Sequence, residues 1–365
     1  HAAGPGSWGP VEAWPVIPVG VFHLDDGRLL GFAAVQNDHF STGGVPAENH
    51  NFTHASIWDP VTNSFENADL DGHDIFCPAM TFLPDGNVFM GGGGSSGNSY
   101  KVSLWNMATK SWERESDMNG GHWYGTGVAT DNEVVVMQGD DQLISGSNDD
   151  NWIPEKSDGF DFSLPWTNLT DASFEGLINT NPAWYPQAHL LSNGEILISG
   201  TTNDMYVLDV SGNGTLTFAG KRNTVTEEQQ AWGASTIMYK PGRILALGGI
   251  EGWTQQQNQP RTSLSRVIEI DARNPAAITT SFKSDMNFGR GFQNAVLGVD
   301  GKVYVFGGHQ NGNQFDDDQS ILTPEAWDPK TDTWELLTDM QTPRNYHASA
   351  ILMQDGRIFV GGGGL

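Results

Sequence analysis

The chain of 365 residues contains one cysteine, only 18 Lys and Arg, and no long apolar run. A lone thiol, Cys77, makes no internal disulfide, so the fold must be held by its core. Basic residues are outnumbered by 44 Asp and Glu, for a net charge of −26. That field repels phosphate backbones and anionic lipid heads and argues against nucleic acid or a membrane surface as partner. The longest apolar runs, such as Val134 to Met137 and Ile351 to Met353, are far shorter than the ~20 residues of a membrane-spanning helix. Neither an initiator Met nor an apolar leader precedes His1, as expected where a targeting peptide has been removed. Three sequons, at Asn51, Asn168 and Asn213, allow glycosylation in a secreted protein. Acidity and sequons together predict secretion, and in a secreted protein an unpaired cysteine is unusual. Its plainest account is a small buried hydrophobe.

What the chain does have is glycine, 45 residues of it, arranged periodically. A β-rich run, a tight turn and a second β-rich run recur seven times. The turns fall at Asp26-Gly27, Asp85-Gly86, Asp131-Asn132, Asn193-Gly194, Pro241-Gly242, Asp300-Gly301 and Asp355-Gly356. Asp-Gly between apolar runs is the strongest short hairpin signal. The spacing from Gly27 to Gly356 averages about 55 residues over six intervals. Several repeats carry a second hairpin with an aromatic pair: Trp58 with Phe65, Trp105 with Trp112, Trp327 with Trp334. Four strands per repeat make a propeller blade, and Gly-Gly followed by a Trp hairpin resembles the kelch pattern. The expectation is an all-β, seven-bladed kelch-like β-propeller over residues 17–365. Blade seven begins at Tyr346, and its outer hairpin lies outside this sequence. Residues 1–16, with Trp8 and Trp14, are expected to supply one outer strand. The other strands would come from a C-terminal fragment or second chain.

Three repeats share one phrase. Asp117-Met118 leads to Tyr124, Asp285-Met286 to Phe292 and Asp339-Met340 to Tyr346, each aromatic six residues after the Met. That spacing makes the three aromatics structural equivalents at the start of innermost strands, on one face of the ring, where loops from several blades converge. Counting back from the hairpin turns places Cys77 level with His347. Cys, two Tyr and a His on one rim form a set of soft and borderline ligands, and phenolate and imidazole suit Cu(II). Spacing alone also allows packing aromatics, a buried cysteine and a histidine bonded to a backbone group.

These residues stand in motifs that resemble the copper radical oxidases, the galactose oxidase and glyoxal oxidase family. The motifs are Trp8-Gly9-Pro10, Asn37-Asp38-His39-Phe40, His73-Asp74-Ile75-Phe76-Cys77-Pro78, His122-Trp123-Tyr124, Gln314-Phe315-Asp316-Asp317 and Arg344-Asn345-Tyr346-His347. The resemblance implies an extracellular oxidase that takes a primary alcohol or aldehyde, which includes carbohydrates, to the next oxidation level and releases hydrogen peroxide. One copper ion would be held by Tyr124, Tyr346 and His347. Cys77 would be joined by a thioether to Tyr124, the radical-bearing residue, and Tyr346 would accept the substrate proton. Phe40 and Phe315 match the apolar walls of the family's substrate pocket. The family takes a second histidine from a C-terminal β domain, which a partner chain or fragment would have to bring. Where galactose oxidase stacks a tryptophan over the crosslink, this chain reads Gln138-Gly139-Asp140-Asp141, which puts Asp141 in the pocket. Its sugar-gripping arginine has no counterpart in Trp184-Tyr185-Pro186-Gln187, so galactose is a poor fit. The alternatives are a non-catalytic kelch propeller for binding or adhesion, and a copper protein without radical chemistry.

Overall fold

The structure is a computed structural model that describes residues 5–33, 51–94, 99–141, 149–150, 152–175, 184–200, 202–222, 233–249, 267–310 and 317–363. Every main sheet begins with the hairpin read from the sequence. Phe22 faces Leu30 across the first, and Gly27, at φ 87°, turns the chain. In the third hairpin, which lacks glycine, Thr130 Oγ1 accepts from the N–H groups of Asn132 and Glu133 and closes the turn instead.

Each second hairpin adds strands three and four. Trp58 pairs with Phe65, Trp105 with Trp112 and Trp327 with Trp334. Their turns share one design, in which the side chain that starts the turn accepts from the N–H two residues on, as in Asp59 to Val61, Asn106 to Ala108 and Asp328 to Lys330. Asn63, Lys110 and Asp332 complete these turns in the left-handed region, at φ 53°, 54° and 55°. Trp105 and Trp327 are each about 1% exposed, so truncating either to Ala removes on the order of 3–5 kcal/mol of packing.

Six four-stranded antiparallel sheets result, with innermost strands Gly20–His23, Ala79–Phe82, Thr126–Ala129, Ala188–Leu190, Ser235–Lys240 and Asn294–Leu297. The remaining hairpin, Ala348–Leu352 with Ile358–Gly362, is a two-stranded sheet between the sixth blade and the first. The architecture is a β-propeller of six blades rather than the expected seven, because among the described residues the seventh place holds an inner pair of strands and no outer pair. Among the described residues there is no α-helix, only two short 3₁₀ turns at Thr170–Ala172 and Pro275–Ala277. None is long and apolar enough to cross a membrane.

Residues 5–18 form no strand. They cross the outer side of the last hairpin instead. The Trp8 indole donates to Thr338 O, Thr338 Oγ1 donates to Gly6 O, and Trp14 packs among Trp58, Phe65 and Phe359. A groove of about 640 Å³ runs between this segment, Met340, Ile358 and Val360. Apolar clusters fill every junction between neighbouring sheets, including those on both sides of the last hairpin.

The core also holds buried polar pairs. In blade six, Arg290 and Glu325 have fully buried side chains 2.9 Å apart. Arg290 also donates to Gly307 O, and Glu325 accepts from the N–H groups of Asn287 and Phe288. Glu325→Ala would leave the guanidinium buried without its counter-charge, an expected loss of about 3–5 kcal/mol, whereas exchanging both residues for apolar ones costs far less. Urea midpoints of the single and double variants check this.

Candidate active site

The heads of all the innermost strands but the first, Gly20–His23, take a left-handed backbone step. Cys77, Tyr124, Tyr185, Gly233, Phe292 and His347 have φ of 62°, 62°, 46°, 65°, 61° and 61°. Large side chains seldom occupy this region, and where they do the surrounding structure must hold them there. Neighbouring heads do so by hydrogen bonding to one another. Tyr124 N–H donates to Cys77 O at 3.0 Å, Tyr185 N–H to Tyr124 O at 2.6 Å and Phe292 N–H to Gly233 O at 2.7 Å.

The loops leading to these positions are pinned to the third strand of their own blades. His73 Nδ1 meets Ser103 Oγ at 2.9 Å ahead of Cys77. His122 lies between Glu155 Oε1 at 3.0 Å and Gln138 O at 2.6 Å ahead of Tyr124, the place that Arg290 holds between Glu325 and Gly307 ahead of Phe292. The Gly-Gly motifs have their reason here. A Cβ on Gly92 would come within 2.2 Å of His122 O, and one on Gly307 within 1.9 Å of Arg344 O, so the loop of the next blade needs a bare backbone to pass over.

The steps aim side chains at one point. The hydroxyls of Tyr124 and Tyr346 are 2.5 Å apart, and the Tyr346 and His347 rings lie 3.8 Å apart between centroids. Phe76 packs on His347 at 5.2 Å, and Phe292 meets Tyr346 edge-on at 5.0 Å. The buried Cys77 packs with Tyr124 and Phe76 in one apolar cluster. Trp184 stacks on the face of Tyr124, with centroids 4.8 Å apart and planes 16° from parallel, while Trp123 approaches edge-on at 4.6 Å.

Cys77, Tyr124, Tyr346 and His347, singled out from the sequence, are thus one cluster. One equivalence is corrected: His347, and not Tyr346, carries the left-handed step that Tyr124 carries, so the shared six-residue spacing from Met is off by one position in the last repeat. The stacking indole does not come from the Asp141 position, where the resemblance looks for it. It comes from Trp184 at the start of the next blade. Asp141 itself lies in a two-residue strand paired with Asp149. Phe40 and Phe315 lie outside the described residues. Asn51, Asn168 and Asn213 are all exposed. The sequence reading missed Trp184 and Tyr185 as site residues. The signal was the place of Tyr185 just ahead of its blade's first strand, Ala188–Leu190, as Cys77 and Tyr124 stand just ahead of theirs.

Burial governs the electrostatics. It holds His347 down to about 3, so the imidazole is a neutral lone-pair donor. The same burial pushes the phenols of Tyr124 and Tyr346 well above their usual range and the Cys77 thiol up to about 12. Two phenols and an imidazole that are neutral when alone would gain as phenolates beside a divalent cation, and an N,O,O donor set of this kind suits Cu(II). Among the described residues, no three His, Cys, Asp or Glu gather for a metal, so a cation here depends on the tyrosines. A cavity of about 190 Å³ opens over the cluster, lined by Trp184, Gln187, Phe292, Gln293, Tyr346 and His347. No Asp, Glu, Lys or Arg among the described residues lines it.

The glyoxal oxidase N-terminus family matches residues 44–364. The chain belongs to this family. The galactose oxidase of Gibberella zeae is 27% identical over 99% of this chain and 53% of its own length. The aldehyde oxidase GLOX of Vitis pseudoreticulata is 26% identical over 85% of this chain and 60% of its own. A solved fungal alcohol oxidase of the AA5 family, in complex with copper, superposes with a TM-score of 0.85 at 28% identity, covering 98% of this chain and 73% of that one. This glyoxal oxidase family chain therefore spans a little over half the length of the curated relatives it matches, and its fold is that of the copper-bound neighbour.

In family protein made without copper, Cys77 should resist iodoacetamide at pH 8, where its thiol stays protonated and enclosed, and react fully in urea. Peptide mass analysis of the alkylated protein checks this, and labelling of the native protein at pH 8 would contradict the enclosed thiol.

Proposed function

We propose that the chain is the propeller of a secreted copper radical oxidase that converts a primary alcohol or aldehyde to the next oxidation level with reduction of O₂ to H₂O₂. The observation that carries this is the Tyr124 hydroxyl, 2.5 Å from the Tyr346 hydroxyl on a ring that packs in one buried cluster with Cys77, beside a buried neutral imidazole. Tyr124, Tyr346 and His347 would hold one copper ion, which when bound supplies one of the two oxidising equivalents. Cys77 and Tyr124 form the thioether in a balanced step. The S–H and one ring C–H break, an S–C bond forms, and two electrons and two protons reduce O₂ to H₂O₂.

The linked ring spreads unpaired spin over sulfur and phenol, which makes Tyr124 the residue that takes the hydrogen atom from the substrate carbon. The Tyr346 phenolate oxygen takes the hydroxyl proton. Trp184 covers the Tyr124 face and excludes water from it, and an uncharged pocket walled by Trp184 and Phe292 suits an uncharged alcohol or aldehyde.

A C-terminal segment or partner chain supplies the outer strands beside Ile358–Gly362 and a second imidazole. Support comes from the six other sheets, which all carry third and fourth strands at that place, and from the apolar groove there. Three exposed sequons and the net charge of −26 support secretion.

Protein exposed to copper and air should yield one peptide pair joining Cys77 to Tyr124, lighter than the sum by two hydrogens, and Tyr124→Phe should abolish it. Tyr346→Phe should retain the link while turnover of a primary alcohol falls about 10²- to 10⁴-fold, the size of a lost proton acceptor. An unlinked Cys77 in the copper-treated, complete protein would overturn this reading in favour of a binding propeller.

A further inference from the structure

A belt of hydrogen bonds runs around the inner strands just past the cluster, and it has a gap. Two residues past the head of an inner strand stand Thr126, Gln187, Ser235, Asn294 and Ser349. Each donates from its side chain to a backbone carbonyl of the sheet that follows: Thr126 to Pro186 O at 2.8 Å, Gln187 to Ala234 O at 2.6 Å, Ser235 to Gln293 O at 2.5 Å, Asn294 to Ala348 O at 3.2 Å and Ser349 to Val19 O at 2.9 Å. Two residues past Cys77 stands Ala79, and the first blade opens on Gly20; neither side chain has a donor. Among the described residues, blade two, which carries Cys77, is therefore the one blade that no bond of this belt ties to a neighbour. Its head meets blade three through the backbone bond from Tyr124 N–H to Cys77 O at 3.0 Å.

Resting on the reading of Cys77 and Tyr124 as a thioether-linked pair, we propose that the link has a second function as the fastener of blade two, in place of the side-chain bond that Ala79 cannot make. The S–C bond joins the heads of blades two and three, the junction that Ala79 leaves open, and it needs no oxidant beyond the O₂ that is reduced to H₂O₂ as it forms. Cys77 and Tyr124 already pack in one buried cluster, so the bond fixes a contact that packing alone makes before it. Until it forms, the ring opens locally most easily at blade two, because opening there breaks backbone pairing and apolar contact but no bond of the belt. A head that opens loses the aim of its side chain, so the fastener also holds the Tyr124 hydroxyl at that of Tyr346. Formation of the link thus tightens the ring at the place where the chemistry occurs.

Three amides of one kind report on the junctions. Tyr124 N–H bridges the junction without a belt bond, Tyr185 N–H, bonded to Tyr124 O, the one closed by Thr126, and Phe292 N–H, bonded to Gly233 O, the one closed by Ser235. Their native-state hydrogen exchange, relative to the unstructured chain, is measured by residue-resolved mass spectrometry on two forms of the complete protein. One is made without copper and is unlinked; the other is linked by copper and air and then freed of copper by chelation. In the unlinked form Tyr124 N–H should exchange about two- to tenfold faster than the other two, the factor that one net hydrogen bond supplies. Linking should slow it to their range or below and leave theirs unchanged. An unlinked Tyr124 amide as slow as the others, or a link that slows all three alike, overturns the proposal. Thr126→Val removes a belt donor at nearly constant shape, and in both forms Tyr185 N–H should then exchange faster by the same factor; an unchanged rate overturns the belt as a fastener. Cys77 found unlinked after copper and air overturns the parent reading as well, whereas a linked pair with an unchanged Tyr124 amide overturns this one alone.

Discussion

A left-handed backbone step at the heads of six of the inner strands is the constraint on which the site depends. For Cys77, Tyr124, Tyr185 and Phe292 the step is unfavourable alone and is sustained by the neighbouring blade, whose own head residue accepts or donates a backbone hydrogen bond. The ring is therefore coupled around its axis: none of these side chains keeps its aim without the blades beside it. The second strands end in Gly-Gly because the loop that delivers the next head residue runs across them at backbone contact.

Buried polar pairs fix the loops from the other side. His73 with Ser103, His122 with Glu155 and Arg290 with Glu325 each tie the approach to a head residue to the third strand of the same blade. Such pairs contribute little net stability compared with apolar packing, but each is costly to break by halves, and so it allows one loop conformation. The repeats differ in how they meet the same need. A guanidinium serves ahead of Phe292 and an imidazole ahead of Tyr124. Around the cluster, burial keeps an imidazole and two phenols neutral in a space closed by Trp184, Phe76 and Phe292, an environment in which a bound cation would change the ionisation of every ligand at once.

The reading of blades from the sequence succeeded where local chemistry dictates structure. An Asp-Gly turn between alternating apolar residues forms a hairpin wherever it occurs, and Trp-rich second hairpins repeat one Asx turn. The count of blades did not follow, because it needs outer strands that local signals at Asp355-Gly356 cannot provide, and the propeller has six blades with a two-stranded hairpin in the remaining place. Nor did the residues around Trp14 extend into a strand: indole packing among Trp58, Phe65 and Phe359 won over pairing with the hairpin edge.

By itself the sequence determined the all-β repeat, the family, and the gathering of Cys77, Tyr124, Tyr346 and His347, since repeats of fixed period bring equivalent positions to one face. Only the tertiary structure decided which ring covers Tyr124 and which hydroxyl meets its own. Those contacts join residues from different blades, 60 positions apart for Trp184 with Tyr124 and 222 for Tyr346 with Tyr124. Their geometry comes from the angle at which one blade meets the next, a property of the packed ring that no local pattern carries. The one-residue shift that gives His347 the step of Tyr124 was hidden for the same reason: spacing along a loop counts residues, while the backbone bonds between neighbouring blades select which of them turns inward.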